Sequence, residues 1–303
     1  MAVGRNRGDS PGRVGISFHM HRFSLTAIFA LGGVLGAAGA LTAPAHAEGR
    51  LEARYRMSLA GLELGRAALV LEVDDKSYTA SGSARLTGVV QAVSTGKGTA
   101  GARGQIDRGG LAPRAFAMEA ETDKKAEAIR LVMSGTAVTD MNVMPPVMPV
   151  PDRVPVTDKD KKGVFDPMSA ALIMVPGTDE PLSAKACERT LSIFDGRQRY
   201  DLDLSFERMD DVKAEKGYAG PAVVCRIAYR PVAGHRPDRA GVKYMMKNKE
   251  MYVWLAPVAG TRMLAPFRAA VTTAIGVAQL EALSFVSEPM VAKGNGTAKA
   301  QMP

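Results

Sequence analysis

Alternation of apolar and polar residues, interrupted by short turn signals, constrains this chain more than any other feature. Leu51, Ala53, Tyr55, Met57 and Leu59 fall on one face of an extended segment. Ala60-Gly61 can turn the chain, and Leu62, Leu64, Ala67, Leu69, Leu71 and Val73 alternate again with one slip near Gly65. Asp74 to Ser77 has turn chemistry, and Tyr78 to Leu86 is a third strand. A period of two fits a pleated strand with one buried face and does not fit a helix. Pro113 to Thr122 and Ala126 to Val138 are expected to form a further hairpin across Asp123-Lys124-Lys125.

Residues 141–163 carry Pro145, Pro146, Pro149, Pro151 and Pro155, which exclude regular pairing and predict a long loop or crossover. Asp166-Pro167 has the chemistry of an N-cap followed by proline at the first helical position. A short helix is expected from there to about Val175, before Pro176-Gly177. Strands return at Thr190 to Phe194 and Arg199 to Phe206, with Asp195-Gly196 as the strongest hairpin turn in the chain. Ala222 to Arg230 follows, then a basic loop, Met251 to Leu255, and Val271 to Phe285 with a bend at Gly276. The expected fold is all-β and mainly antiparallel: a strongly curved sheet, half-barrel or open β-barrel with one short helix. It forms a single domain over residues 48–287, with 288–303 as a frayed tail.

The N-terminus predicts export. Met20-His21-Arg22 precedes an apolar stretch from Phe23 to Thr42, and Ala45-His46-Ala47 is a small-x-small cleavage site. A positive start, an apolar middle and that site make residues 1–47 a secretory signal peptide cleaved after Ala47. The alternative is an inner-membrane anchor formed by residues 23–42, a run nearly long enough to span. Of 39 basic and 31 acidic residues, the leader holds Arg5, Arg7, Arg13, Arg22 and Asp9, so the remainder carries 35 and 30, or +5. That mild charge, without a lysine tract or arginine stripe, argues against a nucleic-acid partner.

His235 is the one histidine outside the leader, which excludes a multi-histidine metal centre. Cys187 and Cys225 are the only thiols. An oxidising compartment favours a disulfide between them, and the alternative is a redox or metal pair, against which their wide separation argues. No cofactor is expected. Gly96 to Gly101 matches G-x-G-x-x-G literally, but the residues after it are poor helix formers, so a flexible turn is expected instead of a dinucleotide site. Met141, Met144 and Met148 are weak candidates for a soft metal such as copper(I), set against ordinary gap-filling by methionine. Arg226, Arg230, His235 and Arg236 are candidate ligand-binding residues, because guanidinium groups match phosphate or carboxylate. The alternative is a solvated loop with local ion pairs. Asp195, Asp201, Asp203 and Glu207 resemble catalytic carboxylates only superficially, since a turn and a half-exposed strand explain them. No catalytic constellation is present, and there is no G-x-S-x-G elbow.

Three segments carry a resemblance. Phe194-Asp195-Gly196-Arg197-x-Arg199-Tyr200-x-Leu202, the Cys225-Arg226 strand with Pro231-x-x-Gly234-His235, and Asp166-Pro167 before the helix are similar to domain of unknown function 3108. The resemblance covers roughly residues 50–288. It implies an exported, β-rich protein of bacterial envelopes with a half-barrel sheet, and it brings no catalytic residues. The function expected is that of a non-catalytic periplasmic protein. It would bind a lipid, lipoprotein or other amphipathic ligand on the concave sheet. The alternative is an envelope-integrity scaffold working through protein contacts, and a hydrolase of envelope polymers ranks third.

Overall fold

The computed structural model describes residues 48–87, 95–107 and 110–290. The expected leader and the last thirteen residues lie outside them. Seven strands come first: β1 (Gly49–Leu59), β2 (Leu62–Val73), β3 (Ser77–Leu86), β4 (Gly96–Asp107), β5 (Gly110–Thr122), β6 (Ala126–Ser134) and β7 (Ala137–Met144). Then come helix α1 (Pro167–Ala170), β8 (Ile173–Met174), β9 (Arg189–Phe194), β10 (Arg199–Lys213), β11 (Lys216–Gly217) and β12 (Ala219–Ala233). Helix α2 (Ala240–Lys247), β13 (Met251–Pro257), β14 (Met263–Thr273) and β15 (Gly276–Pro289) complete the order.

These strands form one open sheet in the order β7-β6-β5-β4-β3-β2-β1-β15-β14-β13-β12-β10-β9. Each half is a meander, so most neighbours in space are neighbours in sequence. One exception joins the halves: β1 pairs antiparallel with β15, from Gly49↔Pro289 to Leu59↔Ala278, and the two-residue strands β8 and β11 lie off this path against β14 and β15. The slip expected near Gly65 is a bulge, where pairing jumps from Met57↔Gly65 to Ser58↔Glu63 and skips Leu64. The sheet's two edges, β7 and β9, are stitched by one segment. Val138 N donates to Lys161 O at 2.9 Å, Val164 N to Thr136 O at 2.8 Å, and Phe165 N to Ser192 O at 2.7 Å.

Side chains on one face of β1–β3 and β15 pack against those of β13 and β14, joining Leu51, Leu71, Tyr78, Trp254, Phe267 and Phe285 in a common core. β12 to β14 are covered on both faces. Ala222 and Val224 enter that core, while Val223 and Cys225 enter a second one with Ile173, Cys187, Leu255 and Leu264. Strands buried on both sides need continuous apolar runs, and Ala222 to Cys225 supplies one. A third core forms from Phe116, Ile129, Leu131, Met133, Val164 and Phe194.

Several expectations are corrected. The basic loop before β13 contains helix α2, so the described residues hold two short α-helices where one was expected. Val242 and Met245, three apart, turn a half-buried side toward the sheet, and Tyr244 Oη and Asn248 Nδ2 donate to Thr272 O at 3.0 and 2.9 Å. Helix α1 ends at Ala170 instead of running to Val175, because Ile173 and Met174 pair with β14 and Leu172, Ile173 and Val175 are buried. The segment Ala126 to Val138 is two strands around Gly135, whose φ of +58° suits a tight turn. β7 continues to Met144, into the stretch expected to be loop. Val271 to Phe285 is likewise two strands, with a turn from Thr273 to Gly276. Gly96 to Gly101 lies in β4 and not in a turn. Glu288 and Pro289, expected to belong to the frayed tail, pair with β1.

Helix α1 is anchored by its cap. Asp166 Oδ1 accepts from Met168 N at 3.0 Å and Ser169 N at 2.9 Å, and its Oδ2 accepts from Ser169 Oγ. The Tyr78 hydroxyl lies 2.7 Å from Ser169 Oγ and ties the helix to β3. Burial raises the Asp166 pKa above the usual carboxylate range, and the bonds from Ser169 oppose that shift. Asp166→Ala should cost about 2 kcal/mol, the upper end for a lost N-cap. Urea unfolding would show it, and an unchanged midpoint would refute the anchoring role.

Candidate functional site

One cross-strand lane differs from its neighbours. Tyr55 pairs with Ala67, Ala67 with Ala84, Ala84 with Gly98, Gly98 with Ala120, and Ala120 with Glu127. The adjacent lane on the same face is Ala53, Leu69, Gly82, Ala100, Met118, Ile129 and Val143. That second lane meets helix α1: a Cβ on Gly82 would lie 3.1 Å from Met168 Cε. The first lane has alanine or glycine at four consecutive strands, and an open cavity of about 1430 Å³ lies along it. A smaller cavity of about 420 Å³, bordered by Phe116, Met118, Ile129 and Met168, shares Glu127 with the first.

Tyr55 closes one end of the lane, where its hydroxyl donates to Pro266 O at 2.8 Å and burial raises its pKa. Charged groups of both signs border the cavity: Lys97 pairs with Glu121 at 3.0 Å and Arg66 with Glu63 at 2.6 Å, while Arg54, Arg85, Glu127, Glu215 and Lys216 also line it. A floor of small side chains with charges of both signs around it suits an amphipathic molecule better than a discrete anion. Among the described residues, no group of three or more His, Cys, Asp and Glu is placed to hold a metal ion.

The four residues expected to bind a ligand border neither cavity. Arg226 meets Glu207 at 2.7 Å and lies over the Tyr252 ring. Arg230 meets Asp201 at 2.6 Å and Asp203 at 3.2 Å, and Arg236 meets Asp152 at 2.6 Å. Each guanidinium therefore already faces a carboxylate. Burial lowers the His235 pKa, opposed by a hydrogen bond with Ala233, and its carbonyl accepts from Val154 N at 2.9 Å. Asp201, expected on a half-exposed face, is 5% exposed. Asp195 Oδ1 accepts from Arg197 N and Gln198 N at 2.8 and 2.7 Å, which is turn chemistry. Met141 and Met144 lie three residues apart on β7 and so project to opposite faces. Met141 packs on the third core while Met148 is exposed, so the three thioethers do not converge. The structure joins Cys187 to Cys225, with Cα atoms 5.3 Å apart.

Sequence reasoning missed the lane. Its signal was present as Ala67, Ala84, Gly98 and Ala120, but these residues come from four strands and only register aligns them.

The fold and site define a class: an open, curved antiparallel sheet whose terminal strands pair with each other, with a cavity along a lane of small residues. The chain belongs to the family described as "Protein of unknown function (DUF3108)", whose model matches residues 54–282. Among solved structures it is similar to a β-barrel-like protein of domain of unknown function DUF1849 from Brucella abortus. That likeness has 12% identity and a TM-score of 0.45, covering 80% of this chain and 98% of the other. None of the curated proteins compared with the chain matches it.

Proposed function

We propose that this is a non-catalytic protein of the periplasm that holds an amphipathic ligand, a lipid or the acyl part of a lipoprotein, against the small-residue lane. The observation that carries this reading is the cavity of about 1430 Å³. It exceeds the roughly 300–1,000 Å³ of ordinary small-molecule sites. An envelope scaffold would need no such space, because its sheet interior would be filled by its own side chains. The buried disulfide fits an oxidising compartment. No helix among the described residues is long and apolar enough to cross a membrane.

Native mass spectrometry of protein released gently from cells, before and after organic extraction, tests the reading. A discrete, extractable mass excess is expected. Ala67→Trp with Ala84→Trp should remove most of it, because Ala67 and Ala84 are cross-strand partners in the lane. If the two indoles exclude about three methylenes of the ligand, affinity falls roughly fiftyfold at ~0.8 kcal/mol per methylene. An extracted mass identical to the unextracted one, with no uptake of added phospholipid, would overturn the proposal.

A further inference from the structure

We infer that one end of the sheet docks on an anionic lipid bilayer, through the exposed side of helix α2 and two neighbouring hairpin turns. Charge is concentrated there. Residues 236–250 hold Arg236, Arg239, Lys243, Lys247 and Lys249 against Asp238 and Glu250, a net +3, with Arg236 paired to Asp152. The whole of residues 48–303 carries only +5. Lys243 lies 2.8 Å from Asp238, but both are exposed, and such a pair holds its charges weakly.

Apolar groups share this end. Val242 and Met245 turn toward the sheet, leaving Lys243, Tyr244, Met246 and Lys247 exposed. The bonds from Tyr244 and Asn248 to Thr272 O seat the C-terminal turn of α2 beside the β14–β15 turn. That turn presents Ile275, 71% exposed. Ala60 N donates to Val277 O at 2.9 Å, which places the β1–β2 turn alongside, with Leu62 51% exposed. Aliphatic tips beside lysines and a tyrosine are the composition of a surface that rests in the headgroup layer. The apolar residues stand on separate turns instead of lining one groove, and the charge around them is positive, so an anionic bilayer complements this end.

The cavity lining reaches the same end of β1–β7 at Arg85, Lys97, Glu121 and Ala126, near where β3 and β5 end and β4 and β6 begin. Docking would bring that part of the lining toward the bilayer. The docking itself rests on charge and exposure alone, so it stands or falls separately from ligand loading.

The test uses protein recovered in the detergent-free soluble fraction, sedimented with vesicles of phosphatidylcholine alone or of phosphatidylcholine with phosphatidylglycerol. Binding to the anionic vesicles and not the neutral ones is expected, weakening as salt rises. Each juxtamembrane cation contributes about fivefold, ~1 kcal/mol. Lys243→Gln, Lys247→Gln and Lys249→Gln together should therefore weaken binding roughly a hundredfold. Met246→Ser with Ile275→Ser should weaken it while leaving the salt dependence in place, and both positions are exposed, so the fold is retained. Equal sedimentation with both vesicle types, or unchanged binding by the triple variant, would overturn the inference.

Discussion

Replacing Cys187 and Cys225 together by alanine is expected to lower the free energy of unfolding by about 4 kcal/mol. The two residues are 38 apart in sequence, and closing a loop of that length removes this much chain entropy from the unfolded state. The position of the bond sets what is lost. Cys187 ends a single 3-10 turn at Ala184–Ala186, and Cys225 lies on β12, both fully buried. Their bond fastens the stretch between α1 and β9 over the outer face of β12 to β14, where Ile173, Val175, Leu255 and Leu264 form the second core. Without it, that stretch keeps the two-residue pairing of β8, the packing of Ile173, Val175 and Ala186, and bonds such as that from Arg262 Nε to Val175 O at 2.8 Å. At about 2–4 °C per kcal/mol for a domain of this size, Tm should fall by roughly 8–16 °C. Wild-type protein unfolded in excess reductant should match the double variant. A Tm within about 2 °C of the oxidised wild type would show that the bond does not carry this stability.

Asp201→Ala is expected to be of similar severity for an electrostatic reason. The Asp201 carboxylate accepts from Ser192 Oγ at 2.9 Å, pairs with Arg199, and meets Arg230 Nη1 at 2.6 Å. Its side chain is 8% exposed and that of Arg199 is 12% exposed. Deleting the carboxylate strands a nearly buried guanidinium, which typically costs about 3–5 kcal/mol. Arg230→Ala provides the control. The Arg230 side chain is 55% exposed, so its loss should cost no more than about 1 kcal/mol. Chemical denaturation of the two variants side by side distinguishes them. Equal, small shifts in midpoint would mean that Arg199 finds solvent or another partner once Asp201 is gone.

Asp201 also shows where reading the sequence stops. Alternation correctly placed strands at Leu51, Leu62, Tyr78 and Arg199, because a period of two and Asp-Gly or Ala-Gly turns are properties of a few adjacent residues. The same alternation put Asp201 on a half-exposed face, since nothing local announces that Arg199, Ser192 and Arg230 converge on it. Helix α2 was hidden for a related reason. Its eight residues include Gly241 and Val242, poor helix formers, and its seating depends on Thr272, twenty-five residues beyond its end. The Arg226 to Arg236 cluster was visible as a run of charge, but Glu207, Asp203 and Asp152, which neutralise it, come from other elements.

Local chemistry alone therefore determined that the chain would form antiparallel hairpins with apolar inner faces, would turn at Asp195-Gly196, and would start a helix at Asp166-Pro167. Each depends on side chains within about four positions of one another. The tertiary structure decided that β1 pairs with β15, that the segment around Val164 stitches the sheet edges, and that Ala67, Ala84, Gly98 and Ala120 line up beside a cavity. Those outcomes depend on the register and twist accumulated over many strands. A small residue is ordinary in any one strand, and only the pairing of four of them in a row leaves the open space along the lane.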